Sequence, residues 1–212
     1  MNNYDEQYYI VLDDFNDEAL YVSALQKSID RSFGYKKLTI GQEPLFFENS
    51  YREDDIANGI KHKLPSVMLK GTIPIISNEI RDRLKYFDFV DMQLYPAVYI
   101  DDEGQYHENY WCMNFWGKLD CLDREKSVLS KIGQRKLQEN PYADRLPVKK
   151  YALSQEVLDK IPEEKRLIFK IGGDNTGYVF IHQKIADIFR EENATGIKLY
   201  KVSEYKKGME YR

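Results

Sequence analysis

Of the side chains that could do chemistry, the densest group is Asp120, Asp123 and Ser127, spaced D-x-x-D-x-x-x-S. On a helix the two carboxylates would share a face and could bind a divalent metal or divide acid and base roles. In a turn the same acids accept hydrogen bonds from nearby backbone amides. A glycosidase pair would instead come from separate elements that flank the substrate. A structural motif is the expectation, with a metal-dependent hydrolase using Asp120 and Asp123 as an alternative. Gly172 to Gly177 (GGDNTG) has the glycine content of a phosphate loop, but it has no lysine and runs into the strand-like YVFI. It reads as a hairpin turn. His107, Glu108, Cys112, Asp120 and Cys121 lie near one another in sequence, yet no two histidines share a ligand spacing and no C-x-x-C occurs. Neither a metal nor a cofactor is therefore expected. No G-x-S-x-G marks a serine hydrolase. No catalytic residue is assigned, and the chain is not expected to be an enzyme.

The elements that would position these residues belong to a chain of 212 residues, 42% hydrophobic and 31% charged. That composition builds a sizeable core under an ordinary soluble surface. The start, MNNYDEQYYIVLDDF, has no basic leader and no long apolar run, so a cytoplasmic protein with no membrane contact is expected. Cys112 and Cys121 are the only cysteines and read as reduced thiols, a disulfide being the alternative.

Charge is uneven. Residues 1–60 hold 12 acids against 5 bases, whereas the remainder holds 23 acids against 26 bases. An acidic first third argues against a grip on nucleic acid and suits a basic protein partner. Asp13, Asp14, Asp17, Glu18, Glu53, Asp54 and Asp55 are the candidate contacts, on charge clustering alone; a solvated acidic face is the plainer alternative. Trp111, Trp116, Tyr106, Tyr110 and Phe115 make an aromatic hairpin. It lacks the interleaved lysines and arginines of a base-stacking platform, which favours core packing over a protein-binding surface.

Along the chain, Tyr8–Asp13 reads as a strand, Glu18–Ile29 as a helix and Tyr35–Ile40 as a strand, followed by a long loop over 42–63 with one short helix. Ile73–Ile76 reads as a strand placed at an edge by Pro74, and Ser77 as the N-cap of a helix carrying Ile80, Leu84 and Phe87. Met92–Asp101 and Gln105–Trp116 form a hairpin. Val148–Leu153 is a strand, and Ser154 caps the short helix Gln155–Ile161. Strands Arg166–Ile171 and Tyr178–Ile181, a helix over Gln183–Glu191 and a strand over Ile197–Val202 follow.

Two of these stretches echo one another at an offset of 105 positions: Ile76/Ile181, Ile80/Ile185, Asp82/Asp187, Leu94/Leu199 and Tyr95/Tyr200 are identical. Apolar spacing recurs, while the polar residues differ, Ser77 standing against His182 and Asn78 against Gln183. The fold class expected is α+β, with mixed, mostly antiparallel sheets, a few short helices and two similarly built strand–helix–strand halves. Residues 1–64 form an acidic strand/helix portion packed on the rest, and 65–205 the α+β domain.

Four ordered stretches carry a family likeness: Pro74–Leu84, the L-Y-P-A-V of Leu94–Val98, the N-F-x-x-x-x-D-C-L-D-x-x-x-S of Asn114–Ser127, and Ile168–Leu199, which runs from I-F-K-I to T-G-I-K-L. This set, over roughly residues 65–202, resembles the eleventh immunity-protein family of bacterial polymorphic toxin systems. The resemblance implies a cytosolic antidote that binds and blocks a cognate toxin domain, with no catalytic residues of its own. A protein-interaction module outside toxin biology is the alternative.

Overall fold

The computed structural model describes residues 3–15 and 19–211, apart from the side chain of Glu210. In chain order the elements begin α1 (Tyr4–Gln7), β1 (Tyr8–Asp13), β2 (Val22–Ala24), α2 (Gln26–Ile29), β3 (Leu45–Asn49), α3 (Arg52–Asn58), β4 (Val67–Lys70), β5 (Ile73–Ser77) and α4 (Asn78–Leu84). They continue with β6 (Met92–Ile100), β7 (Tyr106–Phe115), β8 (Val128–Leu129), α5 (Lys131–Glu139), β9 (Val148–Lys150) and α6 (Gln155–Leu158). Last come β10 (Ile168–Lys170), β11 (Val179–His182), α7 (Gln183–Glu191) and β12 (Ile197–Lys201). A four-stranded sheet has the order β10-β11-β1-β12, and a six-stranded sheet the order β2-β3-β6-β7-β5-β4. Every pairing is antiparallel except β3 with β6. The chain is α+β with mostly antiparallel sheets, as its sequence implies.

The echo is topological. In each copy an edge hairpin (β4–β5 or β10–β11) leads into a helix (α4 or α7) and then into a strand (β6 or β12). A strand of opposite direction sits between the second and last strands, β7 in one sheet and β1 in the other. The equivalence extends to single residues. Ile76 and Ile181 lie opposite Trp111 and Tyr9 of the two middle strands, and Ser77 and His182 lie opposite Tyr110 and Tyr8. Trp111 Nε1 donates to Asn78 Oδ1 at 2.7 Å, and the Tyr9 hydroxyl donates to Gln183 Oε1 at 2.6 Å. The Tyr110 hydroxyl donates to the Pro65 carbonyl at 2.8 Å, and the Tyr8 hydroxyl to that of Arg166 at 3.0 Å. Each unit also holds an acid–base pair three residues apart, Asp82 with Lys85 just after α4 and Asp187 with Arg190 in α7, both at 2.9 Å. Asn78 and Gln183, different residues in the echo, therefore do the same work.

The two helices meet between the sheets. Ile76, Ile80 and Leu84 from one copy and Ile181, Ile185 and Phe189 from the other belong to a single apolar cluster. Arg83 ties the surface of that contact to Glu191 at 2.6 Å and Glu192 at 2.7 Å. A second core lies on the other face of the four-stranded sheet, and a third within the six-stranded sheet around Phe33, Phe47 and Tyr95.

Four local expectations are corrected. Glu18–Ile29 is no continuous helix. Leu20, Val22 and Ala24 are all buried at a period of two while Ile29 is exposed, so the stretch supplies β2 and then one turn of helix. Tyr35–Ile40 pairs with no strand. Gln93 accepts from the Leu38 amide at 2.8 Å and donates to its carbonyl at 3.1 Å, and Asn114 accepts from the Gly34 amide at 2.5 Å and donates to the Lys36 carbonyl at 3.0 Å. Two side-chain amides thus take the place of a neighbouring strand. The 42–63 stretch contains β3 as well as its short helix. The strand containing Pro74 is internal, since β4 covers its outer side; its ladder with β7 starts only at Ile75, so no bond is lost at the proline. Ser77 also holds the N-cap position without making a side-chain cap bond, whereas His182 Nδ1 accepts from the Lys184 amide at 3.3 Å.

The paired tyrosines give a direct test. Tyr110→Phe leaves the Pro65 carbonyl without its donor and should cost about 1 kcal/mol. Tyr8→Phe also removes the acceptor of the buried Arg166 Nη1, which donates to that hydroxyl at 2.8 Å while Nε keeps its bond to the Ile161 carbonyl, and should cost about 2 kcal/mol. Urea unfolding measures both; a loss in Tyr8→Phe no larger than that in Tyr110→Phe would show that the bond from Arg166 adds no stability.

Candidate functional site

Asp120, Asp123 and Ser127 lie on one loop and do not converge on a cavity. Asp120 is exposed and pairs with Arg124 at 2.8 and 3.1 Å. Asp123 Oδ1 accepts from the amides of Glu125 and Lys126 at 3.2 and 3.0 Å, and Oδ2 meets Lys126 Nζ at 2.9 Å. Burial opposes its ionisation, but the Lys126 amide and ammonium outweigh that and hold its pKa below the usual range. Ser127 Oγ accepts from the Ala152 amide at 3.0 Å and donates to its carbonyl at 3.3 Å, joining the loop to the strand-like segment after β9. The loop is fastened from the other side by Gly172–Gly173. At Gly172 a Cβ would come within 2.9 Å of the Asp120 Cα, so only glycine permits that approach. GGDNTG joins β10 to β11, and fully buried Asp174 closes it by accepting from Gly177 N at 2.9 Å and from the Tyr151 hydroxyl at 2.6 Å. The two motifs that looked chemical thus brace each other.

Cys112 and Cys121 are free, buried and in different cores, and burial pushes the Cys112 thiol up to about 12. Among the described residues no three His, Cys, Asp or Glu side chains are grouped as a metal would require, and no helix is long and apolar enough to cross a membrane. In the aromatic hairpin, Tyr110 and Phe115 are buried while Tyr106 is exposed.

The acidic candidates separate by environment. Asp17 and Glu18 lie outside the described residues. Asp13, at the end of β1, is half-buried with no ion pair among the described residues, and burial raises its pKa to about 6. Asp14 pairs with Lys198 at 2.7 Å. Asp55 points inward, accepting from Asn49 Nδ2 at 2.7 Å and facing His62 Nε2 at 2.9 Å; these partners lower its pKa. Glu53 and Asp54 are exposed on α3 and make no ion pair among the described residues.

Beside α3 the tertiary structure builds something that charge clustering does not reveal. A groove of about 360 Å3 runs between the segment following α3 and the β6–β7 turn. Ile56, Ile60 and Leu64 form its apolar rim, 55%, 43% and 40% exposed. On its other side His107 Nε2 meets Asp101 Oδ2 at 2.7 Å. Leu64 also lines the adjoining groove that holds Asp13 and Asp14, and Ile56 also lines the recess that holds Glu53 and Asp54, so these four acids border one run of grooves while Asp55 is buried. The only sequence signal for the rim was a pair of isoleucines four apart in a polar stretch.

Comparison with known proteins gives one assignment. The model of a family described as Immunity protein family (Imm11) matches residues 31–204. No curated protein matches the chain.

Two substitutions test the electrostatics above. The Asp13 carboxyl titrates near 6 when folded and near 4 when unfolded, so its penalty is absent at low pH and grows as pH rises from about 4 to about 6. Asp13→Asn should therefore stabilise the protein by about 1 kcal/mol at pH 7.5, discounted for partial exposure, and by nothing at pH 4; a gain independent of pH would exclude the titration. Asp123→Ala should cost about 1–2 kcal/mol through lost amide capping, against less than about 1 kcal/mol for Asp120→Ala at an exposed pair. Equal losses in chemical denaturation would contradict the distinction.

Proposed function

The chain belongs to the Immunity protein family (Imm11), and from that premise we propose that it binds a cognate toxin domain in the cytoplasm and neutralises it by occlusion, without catalysis. The observation that carries this is the family match itself, which spans residues 31–204 and includes α3 and the β6–β7 turn. The lack of catalysis is supported by Asp120 and Asp123, whose carboxylates are engaged by their own neighbours.

The α3 face is the binding surface favoured by the geometry. An inhibitor needs a few anchors that become buried and charges that guide the encounter. Exposed Tyr51, Ile56 and Ile60 supply apolar anchors beside Glu53 and Asp54, two exposed candidate acids with no ion pair among the described residues. Asp55 supports the helix from beneath, and Asp13 and Asp14 extend the acidic region along the neighbouring groove. A toxin whose working face is basic, such as one acting on nucleic acid, would be drawn to this surface.

Co-expression with the toxin domain encoded beside this gene should restore growth and allow the two to be co-purified; failure of both removes that pairing. Glu53→Lys with Asp54→Lys should slow association about tenfold at low salt and flatten its salt dependence. Ile56→Asp should act on dissociation instead. An unchanged association rate in the double reversal would move the binding face elsewhere.

A further inference from the structure

At the end of β10, where the two sheets meet, lies a cavity of about 200 Å3 that plays no part in the α3 face. Phe115, Leu119, Ile161 and Phe169 give it an apolar wall. Leu119 is fixed there by donating its amide to the Lys170 carbonyl at 2.8 Å. The charged groups at its lining are Lys118, Lys165, Lys170 and Asp91.

These charges do not cancel. Lys165 is paired with Asp88 at 2.5 Å. Asp91 is engaged at the rim, where Oδ1 accepts from Trp116 Nε1 at 3.1 Å and the carboxyl lies against Gly117 so closely that a Cβ there would sit 2.3 Å from Oδ2, so one acid stands against the two remaining lysines. Lys118 and Lys170 have no carboxylate within ion-pair distance among the described residues. The Lys170 ammonium lies 5.8 Å from the centre of the Phe115 ring. The groups it feels are Lys118 and Lys70, both positive, and the thiol of Cys112. Burial first, and these lysines second, pull its pKa down to about 8. A half-buried ammonium facing other ammoniums costs free energy unless an anion joins it, and an aliphatic side chain would fill the same space without that cost.

We propose that this cavity binds a small monocarboxylate with a short apolar tail, the carboxylate seated between Lys118 and Lys170 and the tail against Phe115, Leu119 and Phe169. The site is independent of toxin binding. An anion between two cations in a half-buried recess is held more strongly than in bulk water, and the apolar wall selects an organic acid over an inorganic anion.

Calorimetric titration of the full chain with hexanoate, using hexylamine and hexanol as comparison ligands, tests the site. One hexanoate should bind per chain, hexylamine should not bind, and hexanol should bind at least about tenfold more weakly. At pH 8 binding should take up protons, seen as a heat that varies with the buffer's ionisation enthalpy, because the arriving carboxylate restores the charge on Lys170. Lys170→Met and Lys118→Met should each weaken hexanoate at least about tenfold, while Lys27→Met, remote and paired with Glu43, should not. Lys170→Met removes an uncompensated charge and should melt no lower than the parent protein; if it fails to fold, Lys118→Met carries the test. No heat of binding, equal binding of hexylamine, or hexanoate binding that survives both lysine substitutions would overturn the proposal.

Discussion

The carboxy-terminal half of the molecule depends on one strand from the opposite end of the chain. β11 and β12 run parallel to each other and share no hydrogen bonds; β1 lies between them and bonds to both. Its two faces feed two different cores, Tyr9 and Val11 into the interhelical cluster and Tyr8, Ile10 and Leu12 into the cluster beyond the sheet. Five consecutive buried side chains, each worth about 1.5–3 kcal/mol on burial, are comparable with the whole stability of a domain, about 5–15 kcal/mol. The span matched by the family model begins at residue 31, yet the sheet it describes is closed only by residues 8–13.

The six-stranded sheet solves the same problem locally. Its middle strand, β7, follows β6 through a tight hairpin, so the strand that completes the first copy is a neighbour in sequence. The second copy recruits its middle strand over more than 160 residues. Closing so large a loop is entropically costly and slow. The aromatic donors to Asn78 and Gln183 and the tyrosine bonds at Pro65 and Arg166 fasten each middle strand in register, at points where a slip of one residue would exchange the two cores.

The helices are occupied by each other and by the sheets, and neither proposed site lies on that interhelical contact. The α3 face and the lysine-lined cavity differ in sign and position. One is an exposed acidic surface with apolar anchors, suited to a macromolecule; the other is a recess with uncompensated positive charge, suited to a small anion. Neither uses a residue that is identical in the two copies; the apolar identities serve the core.

Much was legible from the residues alone. α7 has the expected ends, and the β6–β7 hairpin and the GGDNTG turn stand where alternating apolar residues and glycine-rich turns placed them, because these are local signals. The offset of 105 disclosed two strand–helix–strand units for the same reason: apolar spacing is a record of which faces are buried. The acids at 53 and 54 were visible as charge, but not their separation from Asp55, which turns inward to Asn49 and His62. Tertiary structure alone decided that β1 completes a sheet begun at residue 168, that side-chain amides of Gln93 and Asn114 replace a strand at 35–40, and that Lys170 faces other cations without an acid. Each of these sets residues distant in sequence side by side, and neither periodicity nor composition records which distant partner a buried group will meet.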